Sequence, residues 1–186
     1  MTKIIVIAVA FVAALFVAGC GTVSPTASVN PPKSGSQAKS TPTPPAGPQQ
    51  IGGTFQVTDS QGNVYTVQLT QVIDPAQGAD EFTVPDNGDR FVGAMFTLTG
   101  VSGTVNDDAN NDATIIGSNG QVYQEYIGSL SEGTNFDGGD FNLTPGTSLK
   151  GLVAFELPNG VSVSTVHWTA DSGFDSTPGV WTTTAP

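Results

Sequence analysis

The chain has 186 residues and carries 16 acidic against 5 basic side chains, a formal charge of −11. All sixteen acids fall in residues 51–186, where only Arg90 and Lys150 oppose them, so that region stands at −14. A field of that sign repels phosphate backbones and anionic headgroups, which excludes nucleic acid and any membrane contact made by the protein surface itself.

One cysteine, one histidine and two methionines leave no cluster for copper or zinc, so no cofactor is expected. The N-terminus begins with Lys3 and an uninterrupted apolar run over residues 4–17. At ~1.5 Å per residue, a fourteen-residue helix falls short of the ~30 Å hydrocarbon core. The run therefore reads as an export signal, not as a permanent span. It ends in Val17-Ala18-Gly19-Cys20, which resembles a bacterial lipobox. The resemblance implies removal of a signal peptide over residues 1–19, diacylglycerol and an N-acyl chain such as palmitate on Cys20, and a lipid-anchored location on the extracytoplasmic face of the cell membrane. Two or more chains satisfy the requirement for stable anchoring. The mature chain then has neither a free thiol nor a disulfide.

Residues 21–50 hold seven prolines among Ser, Thr, Gly, Ala and Gln, with no aromatic residue. Such a stretch buries too little surface to offset its ordering entropy and reads, from Cys20 on, as a disordered tether. It reaches about 30 Å as a coil and about 90 Å as polyproline II. Thr41-Pro42-Thr43-Pro44-Pro45 resembles the O-mannosylated segments of actinobacterial lipoproteins.

Residues 51–186 read as one all-β domain. Phe55 and Val57 alternate, Asp59-Ser60-Gln61-Gly62-Asn63 makes a turn, and Tyr65, Val67 and Leu69 share the next strand face. After a polar excursion ending in Asp86-Asn87-Gly88-Asp89, residues 90–99 form the longest strand. Phe91, Gly93 and Met95 lie on one of its faces and Val92, Ala94, Phe96 and Leu98 on the other, so it sits centrally, covered on both sides. Residues 105–112 read as a polar loop, 113–117 as a strand, Ser118-Asn119-Gly120 as a turn, and 121–126 as a short strand. Residues 127–140 wander. Phe141 and Leu143 precede the Thr144-Pro145-Gly146-Thr147 turn, Val153, Phe155 and Leu157 keep step, and Pro158-Asn159-Gly160 closes a hairpin into 161–170. Trp181 marks a last strand. Repeated turns without a helical stripe predict an antiparallel β-sandwich of about 7–9 strands.

Asp89-Arg90-Phe91-Val92, Ser118-Asn119-Gly120-Gln121-Val122-Tyr123, Leu143-Thr144-Pro145-Gly146 and the run from Gly151 to Pro158 together resemble the DUF4352 family. This resemblance covers roughly residues 53–170. It implies an immunoglobulin-like fold, related to the MPT63-type mycobacterial secreted antigen and common on Gram-positive lipoproteins. It implies no catalytic residues.

His167 alternates out of register with Val166 and Trp168 and so points away from the core, which leaves a hydrolytic triad without a base. Asp107, Asp108, Glu132, Asp137 and Asp140 supply loop carboxylates for the alternative reading, an envelope carbohydrate-acting hydrolase. Asp108, Asn110 and Asp112 place oxygen acceptors at alternate positions and are the calcium candidates, although Ala113 and Asn119 stand where an EF-hand loop needs glycine and glutamate. Tyr126 and Phe136 are the aromatic candidates for binding. The expected role is a non-enzymatic binding or accessory domain for an extracytoplasmic protein or envelope component.

Overall fold

The computed structural model describes residues 47–183. The signal segment, Cys20 and all but the last four residues of the tether lie outside them. The elements are β1 (Gln49–Gln50), β2 (Thr54–Thr58), β3 (Val64–Ala76), β4 (Asp89–Ser102), β5 (Val105–Asp108), α1 (Ala109–Asp112), β6 (Ala113–Gly117), β7 (Val122–Tyr123), β8 (Asp140–Leu143), β9 (Ser148–Pro158), β10 (Val163–Trp168), α2 (Ala170–Gly173) and β11 (Gly179–Thr182).

One sheet has the order β2-β3-β4-β9 and the other β1-β11-β10-β6-β7, while β5 and β8 form a separate ribbon. Every pairing is antiparallel except that of β1 with β11. The alternation expected in the sequence decides which side chains meet between the sheets. Tyr65, Val67 and Leu69 of β3, Val92, Ala94, Phe96 and Leu98 of β4, and Val153, Phe155 and Leu157 of β9 share one core with Ile115, Val166, Trp168 and Trp181 of the facing sheet. Two buried tryptophans anchor it. Phe96 packs edge-on against Trp168 at 4.8 Å, and Phe55 against Trp181 at 4.9 Å. Each indole N–H finds an acceptor, Trp168 on the Tyr65 hydroxyl at 3.0 Å and Trp181 on the Gly53 carbonyl at 2.8 Å. Full burial of rings this size, worth roughly 1.5–3 kcal/mol each, is thus achieved without orphaning a donor.

The central strand is covered on its other face too, but by a loop. Phe91, Ala76, Leu152 and Ala154 join Leu130 in a second apolar cluster on the outer face of the four-stranded sheet, with Ile73, Met95 and Tyr126 packed against it. Leu130 lies in the segment 124–139, which adds single bridges to β9 at Glu125–Phe155 and Asn135–Leu152. Gly93 makes room for it, since a Cβ there would stand 3.0 Å from the Leu130 side chain. On the core side of β9, a Cβ on Gly151 would stand 2.7 Å from the ring of Phe136, which packs against the main core.

Several elements differ from the sequence reading. Residues 105–112 are not a loop: Val105 is buried, β5 pairs with β8, and Asp108 caps the single turn of α1 by accepting from the amides of Asn110 and Asn111. A ribbon this short, with one wet face, carries too little apolar alternation to be recognised. The turn after Pro158 does not close a hairpin, because β9 pairs with β4 whereas β10 pairs with β6 and β11. It is a corner between sheets, and its Pro-Asn-Gly signal is common to both geometries. The fold also starts earlier than residue 51, since Gln49 and Gln50 pair with Trp181 and Thr182. No helix among the described residues is long and apolar enough to cross a membrane.

Candidate functional site

The calcium candidates do not converge. Both carboxylate oxygens of Asp108 are engaged locally, Oδ1 by the amides of Asn110 and Asn111 and Oδ2 by the Asn111 side chain at 2.8 Å. Asn110 lines a different depression, beside Ile127 and Asp137. Asp112 is fully buried. Among the described residues, no three of His, Cys, Asp and Glu gather as a metal-holding group.

What Asp112 joins is a cradle of amides that the sequence reading missed. Asp171 and Ser172 are left-handed at φ 57° and 53°, followed by Gly173 at 84°, so successive N–H groups turn to the same side. Asp107 accepts from the amides of Asp171 (2.7 Å) and Ser172 (2.9 Å), from the Ser172 hydroxyl (3.2 Å) and from the Asp108 amide (3.0 Å). The Asp171 carboxylate in turn receives the amide and hydroxyl of Ser60, tying α2 to the first hairpin turn. Strained left-handed residues persist only where their surroundings over-determine them, and here five donors to two carboxylates do so. Neither Asp112 oxygen has a hydrogen-bond partner. Burial first, and then the charge and contact of Asp107, pushes its pKa up to about 9; the amides of Ser172 and Gly173 oppose this without reaching bonding geometry. Asp112 is therefore a neutral acid at pH 7. Donor-lined walls suit carboxylates and offer little to a cation that needs six to eight oxygens.

The open groove above this cradle is lined by Asp107, Asp108, Asp140, Phe141 and Asn142. Phe141 turns inward and is 6% exposed, so the groove has no aromatic platform. Of the other loop carboxylates, Asp137 accepts from the Ser129 hydroxyl at 3.1 Å and Glu132 from the Gln77 amide at 2.6 Å. His167 is half-buried, its Nε2 lies 2.9 Å from the Thr165 hydroxyl, and burial lowers its pKa.

The two aromatic candidates are half-buried packing residues of the covering loop. The Tyr126 ring lies 4.7 Å from Phe91 and the Phe136 ring 6.5 Å from Phe141. Exposed apolar side chains stand on this loop and on a neighbouring one: Ile127 (89% exposed) on the first, Phe82 (84%) and Val84 (62%) on the second. The two loops adjoin. The Ala79 amide donates to Ser129 at 2.9 Å, Gly78 bridges Leu130, and Gly128 backs onto the Thr83 methyl. The Phe82 loop is itself held by Asp80, whose Oδ1 accepts from the amides of Phe82 (3.0 Å) and Thr83 (2.8 Å) and from the Thr83 hydroxyl (2.9 Å). Those three bonds, the hydroxyl first, keep the Asp80 carboxyl below its ordinary pKa. An exposed phenylalanine amid acids leaves no periodic signal, which is why the sequence does not reveal it.

No protein-family model matches the sequence, and no curated protein does. Among solved structures the chain is similar to MPT63, a secreted protein from Mycobacterium tuberculosis, with a TM-score of 0.55 and 17% identity over 74% of this chain and 98% of that one. It is also similar to the yjhA protein from Bacillus subtilis, with a TM-score of 0.51 and 12% identity over 73% of this chain and 99% of that one. At such identities the likeness shows a shared fold, an MPT63-like β-sandwich.

Proposed function

We propose that the chain is a lipid-anchored, extracytoplasmic binding or accessory module of the DUF4352 type, with no catalytic role. The observation that carries the binding half is the exposure of Phe82, Val84 and Ile127 on two adjoining loops, the first of them braced by Asp80. Single exposed apolar residues are ordinary, whereas three on adjoining loops mark an interaction surface. The Asp107 and Asp108 carboxylates are engaged by backbone amides, which supports a non-enzymatic reading over the hydrolase alternative. The anchoring half rests on Val17-Ala18-Gly19-Cys20 and the apolar run before it. The secreted nature of MPT63 agrees with an extracytoplasmic address.

The test is crosslinking in intact cells from a photoreactive residue at position 127, with an alkyne fatty acid supplied to label the anchor. The reading requires a discrete adduct on a labelled chain that begins at Cys20. A chain that keeps residues 1–19 and takes no label removes the anchor, and the absence of any adduct removes the binding role.

A further inference from the structure

The surface around the exposed trio has a charge sign that narrows its partner. Asp80 and Glu81 precede Phe82 in the same loop, Asp86 follows Val84, and Glu125 lies two residues before Ile127. Among the described residues, the base nearest them is Arg90, which lines a depression with Asp80, Glu81 and Val84. Arg90, one of the two bases in residues 51–186, is clamped to Asp74, and that is the ion pair found among the described residues. Lys150 sits on β9 opposite Thr97, beside Glu132 and Gly133. A second copy of this chain would bring its own excess of carboxylates to the contact, and an anionic bilayer would repel it in the same way. Resting on the binding reading above, we infer that the adjoining loops that expose Phe82, Val84 and Ile127 dock a polypeptide segment that combines apolar side chains with lysine or arginine. The apolar side chains cover Phe82 and Ile127, and the cations lie over Asp80, Glu81, Asp86 and Glu125. Such an arrangement takes its affinity from the buried apolar contact and its selectivity and encounter rate from charge. The Asp80 bracing lowers the ordering cost of the Phe82 loop on binding.

The test uses the full acylated chain in phosphatidylcholine nanodiscs and three fluorescent peptides of one length: leucine with lysine, leucine with glutamate, and serine with lysine. Anisotropy should detect the leucine–lysine peptide alone. Its affinity should fall about tenfold or more in the double variant Phe82→Ser, Ile127→Ser, and should fall steeply with added salt. Phe174→Ser, which removes an equally exposed ring elsewhere, should leave it unchanged. Equal binding of the leucine–glutamate peptide at the patch overturns the cationic partner while the binding module stands. Equal binding of the serine–lysine peptide reduces the site to bulk charge and overturns the patch. Dimerisation in sedimentation that the double variant abolishes gives the patch to a second copy. An Ile127→Trp variant whose emission shifts to the blue in nanodiscs without peptide gives it to lipid. Each of these last two results overturns the inference, and binding of no probe by any route takes the binding reading down with it.

Discussion

Arg90 holds Asp74 by two bonds, Nε to Oδ1 at 2.6 Å and Nη2 to Oδ2 at 2.7 Å, and the same guanidinium donates to the carbonyls of Pro158 (2.7 Å) and Val161 (2.9 Å). One side chain on β4 thus joins the far end of β3 to the corner where the chain leaves the four-stranded sheet for the facing one. The hydrogen bonds to Asp74 raise the pKa of the guanidinium further, so it stays charged throughout the accessible range.

Arg90→Gln is expected to lower stability by about 1–3 kcal/mol, because two carbonyls and a carboxylate lose a charge-assisted donor together. Arg90→Lys should recover little of this, since a single ammonium cannot reproduce the planar fork. Urea unfolding midpoints for the three proteins test the point. A lysine variant as stable as the wild type would make Arg90 a point charge and nothing more.

The covering loop makes a separate demand on the other side of β4. Leu130→Ala should cost about 2–4 kcal/mol, as expected for a side chain 1% exposed that leaves a cavity between Phe91 and Leu152. Gly151→Ala should act differently. Its methyl group meets the Phe136 ring directly, and that ring packs against the edge of the sandwich core beside Phe141, so the segment around Phe136 must shift. Amide exchange should then quicken across residues 134–139 and remain slow in β3 and β4. Uniform loss of protection would mean that the loop and the sandwich unfold as a single unit.

Strand alternation was legible wherever one face of a strand is buried against a sheet, as in Val92 to Leu98 and in the step of Val153, Phe155 and Leu157. The doubly apolar character of β4 correctly required a second cover, yet nothing in the sequence identified Leu130 as its centre. A lone leucine in a Gly-rich acidic run has no period. Pairing across the corner at Pro158 was hidden for a related reason, since local turn chemistry records that the chain reverses and not which sheet it enters. The Asp107 cradle was beyond reach because its geometry depends on left-handed Asp171 and Ser172; aspartate visits that region more readily than most residues, but most aspartates do not adopt it, so the pair is no signal by itself. Aromatic candidates were sought beside acids, which led to Tyr126 and Phe136 in place of Phe82, whose exposure only the packing of two loops reveals.

Asp108, Asn110 and Asp112 allow a direct check of the calcium idea. With Asp108 occupied as a helix cap and Asp112 buried, the melting temperature should be the same in millimolar calcium as in chelator. Asp108→Ala should still cost about 1 kcal/mol through loss of the cap, in either medium. A calcium-dependent rise in melting temperature that Asp108→Ala abolishes would restore the site.

Asp112 sets the sign of the pH dependence. Its carboxyl stays protonated in the folded state up to about pH 9, whereas in the unfolded chain it ionises near its model value of 3.8. Between those values the folded state binds one more proton than the unfolded state, so stability falls as pH rises. The contribution is complete below about pH 4 and is lost progressively toward pH 9, at no more than about 1.4 kcal/mol per unit. Asp112→Asn keeps the shape and removes the titration. It should be more stable than the wild type at pH 8, by about 1–3 kcal/mol, with the advantage shrinking as the pH is lowered toward 5. Urea unfolding of both proteins at pH 5, 6.5 and 8 measures the difference. Parallel pH profiles would mean that Asp112 ionises inside the fold without penalty, and that the amides of Ser172 and Gly173 swing far enough to hold two carboxylates at once.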